Sequence, residues 1–208
     1  MARDGRGGVV CIVGPDGAGK STLADALVAR LQGAEVLRVH QRPSLLPRRT
    51  RSTGPVTDPH GRSPDSWPLS LLKLGYLYLD TTLGWAFVLR PFTRRGGWVV
   101  LERGWWDLAI DPRRYLLRVP RPIVRLLARS LPSVDLLLVL DGPAHVLWLR
   151  SRELPESEVE RQLQDWRELR HGYRRRAVLD AAATPTKVAA AAGRELDALR
   201  SRHAADRP

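Results

Sequence analysis

A chain of 208 residues, 43% hydrophobic and 27% charged, is long enough to bury a full core and shows no low-complexity tract that would mark wholesale disorder. Its single cysteine, Cys11, excludes a disulfide framework and a cysteine-based zinc site and suits a reducing, cytoplasmic setting. The net charge of +12 is carried mostly by arginine (only Lys20, Lys73 and Lys187 are lysines) and is spread along the chain, which fits a site for polyanionic substrates better than a nucleic-acid surface.

The opening residues, MARDGRGG, are too few and too glycine-rich for a signal peptide before the apolar run Val9–Val13. That unbroken run reads as a central strand buried on both faces. A helical stripe follows over 20–31, with Leu23, Leu27 and Leu31 in register and Gly33 as a stop. A second strand is expected at 35–39. Residues 41–68 hold six prolines among arginines and read as a long loop of functional character. A long, nearly all-round apolar helix or helix pair is expected over 69–93; Lys73 and Asp80 interrupt it, so it reads as buried rather than membrane-spanning.

A third strand is expected at 98–101, ending at Glu102-Arg103. A short amphipathic helix follows at 122–131, and the clearest strand at 134–140. Asp141-Gly142-Pro143 opens a further helix. Residues 156–179 read as a charged helix overlapping a short last strand at 177–179, and 185–202 as a closing helix. The alternation of strands and helices predicts an α/β domain with a parallel sheet, and no second core or repeat requires another domain.

Gly14-Pro15-Asp16-Gly17-Ala18-Gly19-Lys20-Ser21 fits the G-x-x-x-x-G-K-[ST] pattern without a mismatch. It follows a buried strand and opens an amphipathic helix, as its mechanism requires. The glycines let successive backbone N–H groups turn toward phosphate oxygens, and the helix N-terminus adds positive potential. Lys20 is then expected to reach the β- and γ-phosphates of a nucleotide and the Ser21 hydroxyl to ligate Mg²⁺.

The same segment, extended to Thr22, resembles the P-loop of thymidylate kinases. Leu101-Glu102-Arg103-Gly104-Trp105-Trp106-Asp107 is similar to that family's Asp-Arg-aromatic segment, and Val139-Leu140-Asp141-Gly142-Pro143 to its fourth-strand end. Arg150-Ser151-Arg152-Glu153 falls where the family has an arginine-bearing lid, here 150–157, and Leu179-Asp180-Ala181 resembles the segment near the adenine. Asp58-Pro59-His60-Gly61-Arg62 and Asp111-Pro112-Arg113-Arg114-Tyr115 look like the divergent bacterial members.

The resemblance implies a three-layer P-loop kinase fold around a five-stranded parallel sheet. It also implies ATP and Mg²⁺ as cofactors, a nucleoside monophosphate as the small-molecule acceptor, and a homodimer as a partner state. Carried onto these positions, Gly14, Asp16, Gly17, Ala18, Gly19, Lys20, Ser21, Thr22 and Arg150 would hold the nucleotide, and Ser21 and Asp141 the metal. Lys20, Arg103, Glu102, Asp16 and Arg152 would form the catalytic set, with Arg103 on the acceptor phosphate and Asp16 near the acceptor sugar.

Glu102 stands where the family has Asp, and Gly104 where it has an aromatic residue. Both departures fall on the acceptor side and leave a nucleoside, sugar or specialised metabolite open as acceptor. The residues also allow plainer roles: an ion pair of Arg103 with Glu102 or Asp107, a helix cap for Asp141, a Lys73 partner for Asp80. The Arg174-Arg175-Arg176 run reads as a solvated face, and Trp105 and Trp106 as core, unless one of them lies near the acceptor.

Overall fold

The computed structural model describes residues 6–40, 43 and 65–205. Most of the proline-rich 41–68 loop, with His60 and the rest of 58–62, lies outside them.

Five strands pair in parallel: β1 (Val9–Val13), β2 (Val36–Val39), β3 (Trp98–Glu102), β4 (Val134–Asp141) and β5 (Tyr173–Asp180), in the order β2-β3-β1-β4-β5. Parallel pairing needs crossovers, and helices between the strands supply them: α1 (Lys20–Arg30), α2 (Trp67–Gly84), α3 (Arg90–Arg94), α4 (Trp105–Ile110), α5 (Arg121–Ala128), α6 (Ala144–Ser151) and α7 (Glu156–Glu168), while α8 (Pro185–Ala205) follows β5. The α/β class and the five-stranded parallel sheet are as expected from the sequence.

Side-chain alternation along β1 divides the core into two layers. Val10 and Ile12 join Leu136, Leu138 and Leu140 of β4 under Leu23 and Leu27 of α1 and Leu196 of α8. Cys11 and Val13 face the other way, with Val99 and Leu101 of β3, Leu74 and Leu77 of α2, and Trp105. Each such side chain contributes roughly 1.5–3 kcal/mol when removed from water, so the central strands hold their carboxyl ends firmly. Burial pushes the Cys11 thiol well up, leaving it an inert packing group.

The long apolar helix starts at Trp67 rather than 69. It runs through a π-helical turn (Trp85–Leu89) into α3. One flank is buried as expected, but Leu72 is 73% and Phe87 65% exposed, so the helix is not covered all round. Lys73 bonds Asp65 at 3.1 Å rather than Asp80, which is itself fully buried. Among the described residues no helix is long and apolar enough to cross a membrane.

Two assignments are corrected. The charged helix read over 156–179 stops at Glu168, and β5 takes up the chain from Tyr173. The break is Gly172, whose φ of +91° suits glycine and whose Cβ position would lie 1.8 Å from the Trp106 ring. Arg174–Arg176 are therefore strand residues. Arg175 meets Glu195 at 2.8 Å and Arg176 donates to the Trp166 carbonyl, so the run is tied in rather than a free helix face. The six-residue α4 was not expected. All its residues are buried, so no amphipathic period betrays it.

Gly172→Ala combines a left-handed backbone with a ring clash, and is expected to lower stability by about 2 kcal/mol or more. Urea unfolding checks this; a midpoint within error of wild type would contradict the role of this turn.

Candidate functional site

β1 is the middle strand, and the chain beyond it moves first to one side of the sheet and later to the other. Its carboxyl end is thus the switch point at which open α/β sheets bind ligands. The glycine-rich loop 14–19 occupies that point. Gly14 (φ +144°) lies so close to β4 that a Cβ would sit 2.8 Å from the Leu140 carbonyl oxygen. Gly17 (φ +78°) would place one 2.6 Å from the Leu147 carbonyl of α6. Ala18 is buried in the core, while Thr22 faces solvent. Helix α1 starts at Lys20 with no side-chain cap, so its first N–H groups keep their donor capacity at the mouth of the loop.

Lys20 is folded into this loop. Its ammonium donates to the carbonyl oxygens of Gly14 at 2.8 Å and Pro15 at 2.7 Å and lies 3.5 Å from Asp16. Burial lowers its pKa to about 8 despite the nearby Asp16.

Asp16 is the meeting point of three cations. Arg103 donates to it at 2.6 Å and Arg114 bonds its other oxygen. Burial pushes the Asp16 carboxyl up, but Lys20, Arg103 and Arg114 outweigh it and hold it well below the usual range. Arg103 follows β3 in a left-handed conformation (φ +67°), uncommon outside glycine, and its N–H bonds the Ile12 carbonyl at 3.0 Å. Its guanidinium reaches the loop at Asp16 and not Glu102. Asp107, also near Arg103, accepts the Gly104 N–H at 2.8 Å, and burial raises its pKa. Arg114 also lies 3.9 Å from Glu153, so the cluster interleaves three cations with several acids. A narrow cleft here, bounded by Gly14, Asp16, Arg103, Arg114 and Gln162, shares Asp111 with an open cleft of about 870 Å³. Trp67, Arg113, Arg118, Arg121 and Arg161 line that wider space.

Glu102, 1% exposed, does not pair with Arg103. One of its oxygens accepts the Ser21 hydroxyl at 2.7 Å and the other accepts Arg38 Nε at 2.7 Å. Burial pushes this carboxyl up too, but the Arg38 and Ser21 hydrogen bonds prevail and its pKa is lowered.

The remaining expected residues are engaged elsewhere. Both Asp141 oxygens accept from Arg167, at 2.7 and 2.8 Å, and one also takes the Gly142 N–H. It does not cap α6, whose N-cap is Pro143. Arg150 donates to the Ala181 carbonyl at 2.6 Å, tying α6 to the turn after β5 beside Gly17. Arg152, left-handed at the end of α6, lies 5.3 Å over the Trp148 ring. Trp105 and Trp106 are core.

Arg38 and Arg114 were not singled out from the sequence. Position was the available signal, since Arg38 lies near the carboxyl end of a strand and Arg114 within the Asp111–Tyr115 motif. Among the described residues no group of three or more His, Cys, Asp or Glu could hold a metal ion, so a cation here would rest on Ser21 and on its ligand. A scan against known protein families found no match, and neither did a search of curated proteins.

Lowering Lys20 from 10.5 to about 8 means that the folded chain binds fewer protons than the unfolded chain between those values. Stability should therefore rise with pH across that window. Relative to Lys20→Met, wild type should gain on the order of 3 kcal/mol from pH 8 to 10.5, read by urea unfolding at several pH values. Parallel curves would contradict the depressed pKa.

Proposed function

We propose that this chain is an ATP- and Mg²⁺-dependent phosphotransferase of the thymidylate kinase-like type, a P-loop enzyme that moves the γ-phosphoryl group of ATP to a nucleoside monophosphate. The observation that carries the reading is the convergence of Lys20, Arg103 and Arg114 on a glycine-built loop at the switch point of a parallel sheet. A loop of inward N–H groups with a buried lysine recognises phosphate by charge and donor geometry.

Phosphoryl transfer needs alignment and charge neutralisation more than covalent help. Lys20 would exchange its two loop carbonyls for phosphate oxygens. Arg103 and Arg114 present planar forks suited to a second phosphate, with Asp16 between them to orient an acceptor hydroxyl. The open cleft beside Asp111 gives the acceptor's body a place to lie. Arg150 and Arg152, on the segment that abuts Gly17, would approach the donor phosphates if α6 and the turn after it shift.

The donor set fits a magnesium ion: the Ser21 hydroxyl gives its proton to Glu102 and keeps its lone pairs free. When bound, Mg²⁺ would neutralise charge on the transferring phosphoryl oxygens.

ADP release, measured with ATP and Mg²⁺ against nucleoside monophosphates, nucleosides and sugars, tests the reading. A monophosphate should give the strongest release, and Lys20→Ala should reduce turnover at least a hundredfold with little change in fold. Release with a nucleoside or sugar would keep the kinase and change the acceptor. Wild-type-like turnover in Lys20→Ala would overturn the mechanism, and ATP binding without release on any acceptor would favour a nucleotide-dependent switch.

A further inference from the structure

Arg38 touches none of the groups assigned to the nucleotide, yet it determines how one of them is presented. It lies near the end of β2, where its Nε donates to one Glu102 oxygen at 2.7 Å and its Nη1 bonds Asp25 of α1. Asp25 is one helical turn beyond Ser21, so a single guanidinium links β2 to β3 and to the start of α1. The pairing with exposed Asp25 contributes little by itself. The bond to Glu102 is different, because that carboxylate is 1% exposed.

The other Glu102 oxygen accepts the Ser21 hydroxyl at 2.7 Å. A hydroxyl has one proton and two lone pairs. Where the proton goes decides where the lone pairs point. With the proton directed at Glu102, they are left for the exposed side of Ser21, where a cation bridging to phosphate would sit. Glu102 has three rotatable bonds, and Arg38 holds the oxygen that Ser21 does not. His40 Nδ1, 3.6 Å from the Ser21-bonded oxygen and largely exposed, is too far for a firm second anchor.

We propose that Arg38 is a positioning residue for the metal ligand: through Glu102 it orients the Ser21 hydroxyl and so sets the affinity for Mg²⁺-bound nucleotide. The inference rests on the phosphotransferase reading above. It predicts a selective effect, since metal-free nucleotide is held by the loop N–H groups and Lys20, none of which Arg38 contacts.

The test is equilibrium binding of ATP to the full chain by calorimetry, with Mg²⁺ and with EDTA, for wild type, Arg38→Met and Arg38→Lys. Arg38→Met should lose about tenfold in affinity for Mg²⁺-ATP while metal-free ATP binding stays within about twofold. Arg38→Lys keeps the charge but not the two-pronged geometry, and should recover part of the loss. Should Arg38→Met fail to fold, Arg38→Lys alone carries the test, with a loss of about threefold confined to the metal-bound form.

Equal losses in both forms would show a merely structural role and overturn the inference, as would no loss in either. Wild type that binds ATP in neither condition would instead sink the phosphotransferase reading on which this rests. Wild type that binds ATP normally, alongside an unaffected Arg38→Met, would sink this inference alone.

Discussion

One carboxylate, Asp16, is shared among Lys20, Arg103 and Arg114, and the geometry of the site is organised around it. Asp107 beside Arg103 and Glu153, 3.9 Å from Arg114, add further negative charge, so the three cations are held in a network of ion pairs. Such an arrangement persists only because rigid elements hold it: the end of β1, the left-handed turn after β3 and the short turn that carries Arg114. On the phosphotransferase reading, phosphate oxygens would share these cations with Asp16.

Asp16 and Glu102 are handled differently. Asp16 faces the cleft and stands between arginines, where an acceptor would meet it. Glu102 is enclosed between Arg38 and Ser21, away from Arg103, although the two are neighbours in sequence. Glu102, the last residue of β3, and Arg103, which follows it with a positive φ, send their side chains to different partners.

What the sequence made legible was the part governed by local rules. Val9–Val13, the glycines after it and the stripe on α1 announce strand, loop and helix by apolar run and turn chemistry, and β4 does the same. The residues it concealed act over long range. Arg38 reaches Glu102 across 64 positions and Arg114 reaches Asp16 across 98, and no periodicity reports such pairings. Helix α4 escaped because a wholly buried six-residue helix has no polar face. The end of β5, 177–179, is legible as a strand, but its first part is not, because the arginines 174–176, paired to Asp135, Glu195 and backbone carbonyls, look like a solvated helical surface when their partners are unseen. The alternative role of Arg103 as an ion-pair partner of Glu102 is not realised, because Glu102 is taken by Ser21 and Arg38 and Arg103 by Asp16.

The central claim is that the loop recognises a phosphate chain, and thermal unfolding with different ligands tests it most directly. A ligand that binds only the folded chain raises the midpoint in proportion to its occupancy. With Mg²⁺ present, ATP and inorganic triphosphate should both raise the unfolding temperature of wild type, adenosine should not, and the rise should vanish in Lys20→Ala. A shift produced by adenosine but not by triphosphate, or one that survives in Lys20→Ala, would contradict the account.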